Sequence, residues 1–117
     1  MATIEEVRDS LTSFADSCNE NTQLKEMNKD WNRTIEVHAT DLGADFTIVT
    51  DNGAVTSTDG KPSTGADMII QADSEVLTQV FYGEVSPNEP YNEGTLRVQA
   101  PEQDILRLDF ITAMLWG

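Results

Sequence analysis

The closing stretch of the chain, residues 101–116, reads as a helix with almost no polar side. At about 100° per residue, Ile105, Leu106, Leu108, Phe110, Ile111, Ala113, Met114, Leu115 and Trp116 spread over most of its circumference. A helix resting on a single surface needs an apolar stripe only about 100° wide. This one has to be covered on two sides. One cover can be a sheet; the other can be a lipid, a second helix or a partner chain. The pattern points to apolar-ligand binding ahead of catalysis.

The rest of the chain supplies the sheet. Thr3-Ile4-Glu5-Glu6 is a capping box, in which Thr3 and Glu6 satisfy backbone donors that a helix start leaves open. Ile4, Val7, Leu11, Phe14, Ala15 and Cys18 then share one face, which predicts an amphipathic helix from residue 4 to about 19. Cys18 falls on the buried stripe and reads as a small core residue. As the one cysteine of the chain it excludes an intrachain disulfide and a multi-cysteine metal site. Residues 22–29 read as a short polar turn of helix. The period then switches to two: Trp31, Arg33, Ile35, Val37 and Ala39 alternate with Asn32, Thr34, Glu36, His38 and Thr40, a strand with one wet face. Asp41-Leu42-Gly43 turns the chain into a strand on Ala44, Phe46 and Ile48, and Asp51-Asn52-Gly53 is a hairpin turn. A polar edge strand (54–58), a loop (59–65) and a fourth strand (66–72) follow. Asp73 offers an N-cap to a helix over 75–82 that Gly83 ends. A Pro-bearing connection leads to a fifth strand (95–100), and Pro101 opens the last helix. The order is α-β-β-β-β-α-β-α, in a chain of 117 residues that is expected to form one domain.

Charge narrows the partners. Against 7 basic residues stand 21 acidic ones, a formal −14, which repels nucleic-acid phosphates and anionic headgroups. No nucleic-acid partner is expected. No apolar run reaches the roughly 18 residues of a membrane span, and Glu5 and Glu6 stand where a targeting segment would be basic, so the expectation is a cytoplasmic protein without stable membrane insertion. Catalytic chemistry has little to work with. The one histidine, His38, lies on the polar parity of its strand, and Ser-His or Cys-His constellations lack parts. Phosphate-cradling glycine runs and calcium-loop spacing are absent. Two acids stand beside large apolar neighbours, Asp109 amid Leu108, Phe110 and Ile111, and Asp45 before Phe46. Buried, either would have a raised pKa and could act as a base; otherwise it reaches solvent or pairs with Arg107 or Arg97. No catalytic residue, metal ligand or cofactor is assigned.

Gly83-Glu84, Pro87, Tyr91 and Gly94-Thr95-Leu96-Arg97-Val98, in that order, resemble the sterol carrier protein 2 family, with Asp67 and Asp73 filling its strand and helix-start positions. The likeness runs over nearly the whole chain. It implies an α+β fold: a five-stranded, mostly antiparallel sheet with helices on one face, enclosing a hydrophobic tunnel. It also implies non-enzymatic binding and transfer of fatty acids, acyl lipids or sterol-like lipids. Where that family carries Gly-Lys-Leu-Lys, this chain has Gly94-Thr95-Leu96-Arg97, and the lost lysines and acidic surface argue against CoA esters.

Strand parity nominates Ile35, Val37, Phe46, Ile48, Met68 and Ile70 as the tunnel floor. Leu77, Val80 and Phe81 from the middle helix, and Leu106, Phe110 and Met114 from the last, would form its roof. Arg97 and Arg33 are the candidate headgroup contacts. The same residues could equally close into a solid core. Two other readings stay open. One is a small cavity enzyme resembling the ketosteroid isomerase group, with Asp45 or Asp109 as base, although a chain ending in a helix departs from that order of elements. The other is an accessory domain whose last helix, anchored by Trp116, pairs with its twin in a homodimer or docks on an acyl-handling enzyme.

Overall fold

Each switch of hydrophobic period becomes a switch of element in the computed structural model, which describes residues 1–116. Helix α1 (Ile4–Glu20) and the short α2 (Thr22–Met27) precede strands β1 (Arg33–Ala39), β2 (Ala44–Asp51), β3 (Ala54–Asp59) and β4 (Met68–Ala72). Helices α3 (Ser74–Phe81) and α4 (Asn88–Glu93), strand β5 (Arg97–Gln99) and helix α5 (Glu102–Trp116) complete the chain. The sheet order is β3-β2-β1-β4-β5. Only the β1–β4 pair is parallel; the other three pairings are antiparallel. The α+β fold with a five-stranded, mostly antiparallel sheet is therefore as the resemblance implies.

Register keeps the apolar parity in phase across the sheet. Ile35 stands between Ile48 and Met68, and Val37 between Phe46 and Ile70. These side chains merge with Val7, Leu11 and Phe14 of α1 and Leu77 and Phe81 of α3 into one buried cluster. Thr34, Glu36, His38, Asp45 and Gln71 fall on the opposite face by the same registers. Between β3 and β4 the chain must cross from the sheet edge to the far side of β1. Thr47 secures the departure by donating to the Gly60 carbonyl (2.7 Å). Asp67 secures the arrival, its N–H donating to the Thr34 carbonyl (2.8 Å) while its carboxylate accepts the Thr34 N–H (2.9 Å).

The local signals have their expected causes. Thr3 and Glu6 make both capping-box bonds at 3.1 Å. Asn52 and Gly53 take positive φ (53° and 87°), as a type I′ turn demands, and a Cβ on Gly53 would collide with the Lys25 carbonyl of α2. Asp73 caps α3, accepting the Val76 N–H at 2.8 Å. Two elements differ from expectation. The fifth strand shrinks from 95–100 to Arg97–Gln99, and the connection before it contains α4. Six residues with Pro90 inside them carry no apolar period, so nothing announces that helix. Its end consumes part of the expected strand: Gly94 turns left-handed (φ 83°), and the N–H groups of Thr95 and Leu96 both donate to the Pro90 carbonyl.

One polar cluster decides where α5 lies. Asp104, only 3% exposed, accepts the Trp31 indole N–H (2.9 Å) and the Arg33 Nε–H on both oxygens (3.3 and 3.2 Å). Arg107, one turn on, donates to the Met27 carbonyl and to Asn28 Oδ1. Both guanidiniums stand close to the Trp31 ring centroid, Arg33 at 5.8 Å and Arg107 at 5.6 Å. The first turns of α5 are thereby clamped to the connection between α2 and β1. Burial pushes the Asp104 carboxyl up, but the hydrogen bonds from Trp31 and Arg33 and the charges of Arg33 and Arg107 outweigh it and hold the group below the usual carboxylate range.

These contacts lead to two expected outcomes. A carboxyl whose folded pKa is depressed stabilises the fold above its unfolded value of about 3.9, and that contribution is lost as pH falls through the lower folded value. Asp104→Asn should therefore cost about 2 kcal/mol at neutral pH in urea unfolding, and the gap to wild type should close in strong acid. Burial pushes the Cys18 thiol up to about 12, so Ellman's reagent at pH 8 should leave the native protein unlabelled and label one thiol in urea.

Candidate functional site

Beyond its clamp, α5 runs across the helical layer to an aromatic contact at its other end. Trp116 packs on Phe14 (ring centroids 6.0 Å apart), and Phe14 meets Phe81 edge-on at 5.3 Å. The indole also covers Gly83, where a Cβ would lie 2.5 Å from the ring. Gly83 therefore meets two demands: it ends α3 with φ 76°, and it leaves room for Trp116.

Between these two attachments α5 bridges an apolar cavity of about 120 Å³. Ile105 and Leu108 of α5 form one wall, and Ile70 and Val98 of β4 and β5 another. Val80 and Phe81 of α3, Tyr91 of α4, Phe14 and Leu96 close the sides. The size is close to that of an apolar cavity that takes one benzene, about 150 Å³. At one end Pro87, Asn88, Asp109, Thr112 and Trp116 also line a second, more polar recess, together with Gly83, Val85, Ser86 and Ala113. The shared residues set that recess directly against the cavity, so it is the candidate mouth.

The nominated residues divide into three groups. Ile70, Val80 and Phe81 line the cavity. Ile35, Val37, Phe46, Ile48, Met68 and Leu77 are buried in the continuous core beside it, and Met114 packs half-buried against that core. Leu106 and Phe110 lie on the outer side of α5, 61% and 47% exposed. Their place among the roof residues is taken by Ile105, Leu108, Asp109, Thr112 and Trp116. A helix apolar nearly all round carries no phase of its own. Its rotation is fixed here by Asp104, and Leu106 lies about 200° round the helix from that residue. No signal in the helix alone could have supplied this, because the deciding partners, Trp31 and Arg33, are some seventy residues away (sequence separations of 73 and 71). Phe14, Tyr91, Leu96 and Val98 come from elements whose docking only the fold defines.

The candidate polar groups are also dispersed. His38 Nδ1 stands 2.7 Å from Asp45 Oδ1 on the outer face of the sheet, away from the cavity lining. Asp109 is exposed at the mouth and Arg33 is engaged with Asp104. Arg97 is exposed, on the parity opposite Val98. Among the described residues, no group of three or more His, Cys, Asp or Glu side chains could share a metal ion, and no helix is long and apolar enough to cross a membrane. The arrangement can shelter an apolar chain or ring and meet its polar end with Asn88, Ser86, Thr112 and Asp109.

Comparison with known proteins places the chain by family and fold. The model of the SCP-2 sterol transfer family matches residues 12–101. None of the curated proteins matches the chain in sequence. Among solved structures, a UbiJ-SCP2 ubiquinone synthesis protein superposes with a TM-score of 0.73 at 14% identity, over 93% of this chain and 94% of its own. Sterol carrier protein 2 from Aedes aegypti, in complex with the C16 fatty acid palmitate, gives 0.69 at 13% identity, over 98% of this chain and 99% of its own. The inverting sec-alkylsulfatase Pisa1 from Pseudomonas sp. gives 0.63 at 17% identity over 80% of this chain, which spans only 14% of that enzyme. At such identities the likeness is one of fold.

The contact between Gly83 and Trp116 generates a prediction. Gly83→Ala should displace the indole and strain a left-handed position, lowering stability by about 1–3 kcal/mol in urea unfolding. Repeated in a Trp116→Ala background, the same substitution should lose most of this effect, leaving only the backbone strain.

Proposed function

Because the chain belongs to the SCP-2 sterol transfer family, we propose that it binds an apolar small molecule of the acyl-lipid or sterol-like class beneath α5 and carries it without altering it covalently. The observation behind this reading is the apolar cavity with a polar mouth, bridged by a helix held at its two ends. The lining offers one carboxylate, one amide, one phenol, one indole and one threonine hydroxyl, while His38 and Cys18 lie elsewhere, so among the described residues it has neither a thiol nor an imidazole to act as a nucleophile or to activate a hydroxyl. Burying an alkyl chain contributes about 0.8 kcal/mol per CH₂, so a dozen carbons supply about 10 kcal/mol. About 6 kcal/mol remains after a low-end association cost of about 4 kcal/mol, a Kd on the order of 100 μM before any polar contact is added. A ligand longer than the present volume requires the C-terminal half of α5 to move aside. The Trp116 contact is apolar and can slide, whereas the Asp104 clamp is directional and serves as the pivot.

A second reading, self-association through α5, is favoured by the exposed Leu106 and Phe110. A monomer in sedimentation at high protein and high salt, where the −14 charge is screened, sinks it.

For the carrier reading, delipidated protein is titrated with the neutral fluorescent probe N-phenyl-1-naphthylamine. Saturable binding is expected with Kd below about 100 μM. Val98→Trp, which fills the cavity from β5, should weaken it at least tenfold, while Phe110→Ser on the outer side of α5 should leave it unchanged. An unsaturable titration, or equal affinity in wild type and Val98→Trp, would falsify the reading.

A further inference from the structure

Resting on that reading of the cavity, we propose that the site selects ligands whose polar end donates a hydrogen bond, an alcohol or an amine, over ligands that end in a carboxylate. Among the described residues, Asp109 is the one charged side chain lining either the cavity or its mouth, and no lysine or arginine contributes to either. Two of the arginines near α5 are engaged at its other end, and a third lies on the far side of β5. Arg33 is bound to Asp104 at the far end of α5, and Arg107 to Met27 and Asn28. Arg97 lies on the strand parity opposite Val98, which is the cavity side.

An alkyl chain buried among Ile70, Val80, Phe81 and Leu108 leaves its polar end at the mouth beside Asp109, Asn88 and Thr112. A hydroxyl or ammonium there donates to the Asp109 carboxylate, and charge assistance strengthens that bond. A carboxylate in the same place meets a like charge, and no lysine or arginine among the described lining residues compensates it. The formal −14 of the chain opposes its approach as well. Asn88 and Thr112 can serve either kind of head, so the discrimination falls to Asp109.

The test uses three ligands of equal chain length, 1-decanol, decylamine and decanoate, each displacing N-phenyl-1-naphthylamine at pH 7.5. Wild type, Asp109→Asn and Asp109→Lys are compared, with thermal unfolding to confirm that each variant folds. In wild type, 1-decanol or decylamine should compete at concentrations at least tenfold below decanoate. The better of the two tells a neutral donor from a cation. Asp109→Asn should bring the three within about threefold of one another, and Asp109→Lys should place decanoate first. If the probe binds and wild type takes decanoate as well as the alcohol and the amine, the selectivity is wrong and the cavity stands. A preference that persists in Asp109→Asn also overturns the assignment to Asp109. If the probe itself does not bind saturably, the cavity reading fails and this inference falls with it.

Discussion

The buried carboxylate of Asp104, held by Trp31 and Arg33, is the contact on which the arrangement of the helical layer depends. Hydrophobic burial is non-directional and would accept α5 at many rotations, since large apolar side chains occur nearly all round it. Hydrogen bonds to a buried charge accept few. Once Asp104 faces β1, Leu108 and Ile111 follow at helical spacing onto the same side, and Leu106 and Phe110 turn outward. A buried ion pair is often no more stabilising than an apolar replacement. Its contribution here is the phase of a helix that otherwise has none.

At the other end of α5 the attachment is of a different kind. Trp116 lies on Phe14 and over the bare face of Gly83, a contact of shape without a hydrogen bond. The helix is thus fixed by geometry at its start and by packing at its finish, and the cavity lies under the span between. The lining is of mixed character, apolar between α5 and the sheet and more polar at the end lined by the start of α4 and the C-terminal half of α5.

Acidity shapes the surroundings of this site through the use made of the few cations. Arg8 is bound to Asp59, tying α1 to β3, Arg33 to Asp104, and Arg107 to the connection after α2. These arginines serve as internal ties between elements, and none is placed at the cavity mouth. The same scarcity of cations leaves the cavity and its mouth without a lysine or arginine among the described residues.

The elements themselves were legible in the chain. The capping box at Thr3, the alternation from Trp31 to Thr40, the Asn52-Gly53 turn and the Asp73–Gly83 bracket are local causes acting over a few residues, and each formed as its chemistry requires. The motif from Gly83 to Val98 carried the family, because turns and core positions specify a fold. Helix α4 was not legible, since its polar composition has no apolar face to read. Nor was the cavity lining: strand parity separated inside from outside, but it could not separate solid core from cavity wall. Ile35 and Ile70 have equal standing in the sequence, and only the span of α5 above β4 and β5 distinguishes them. What the sequence determined was what a periodic or local interaction encodes. What the tertiary structure decided was the rotation of α5, because that rests on a carboxylate meeting partners some seventy residues away, at the start of β1 and just before it, a coincidence no local pattern records.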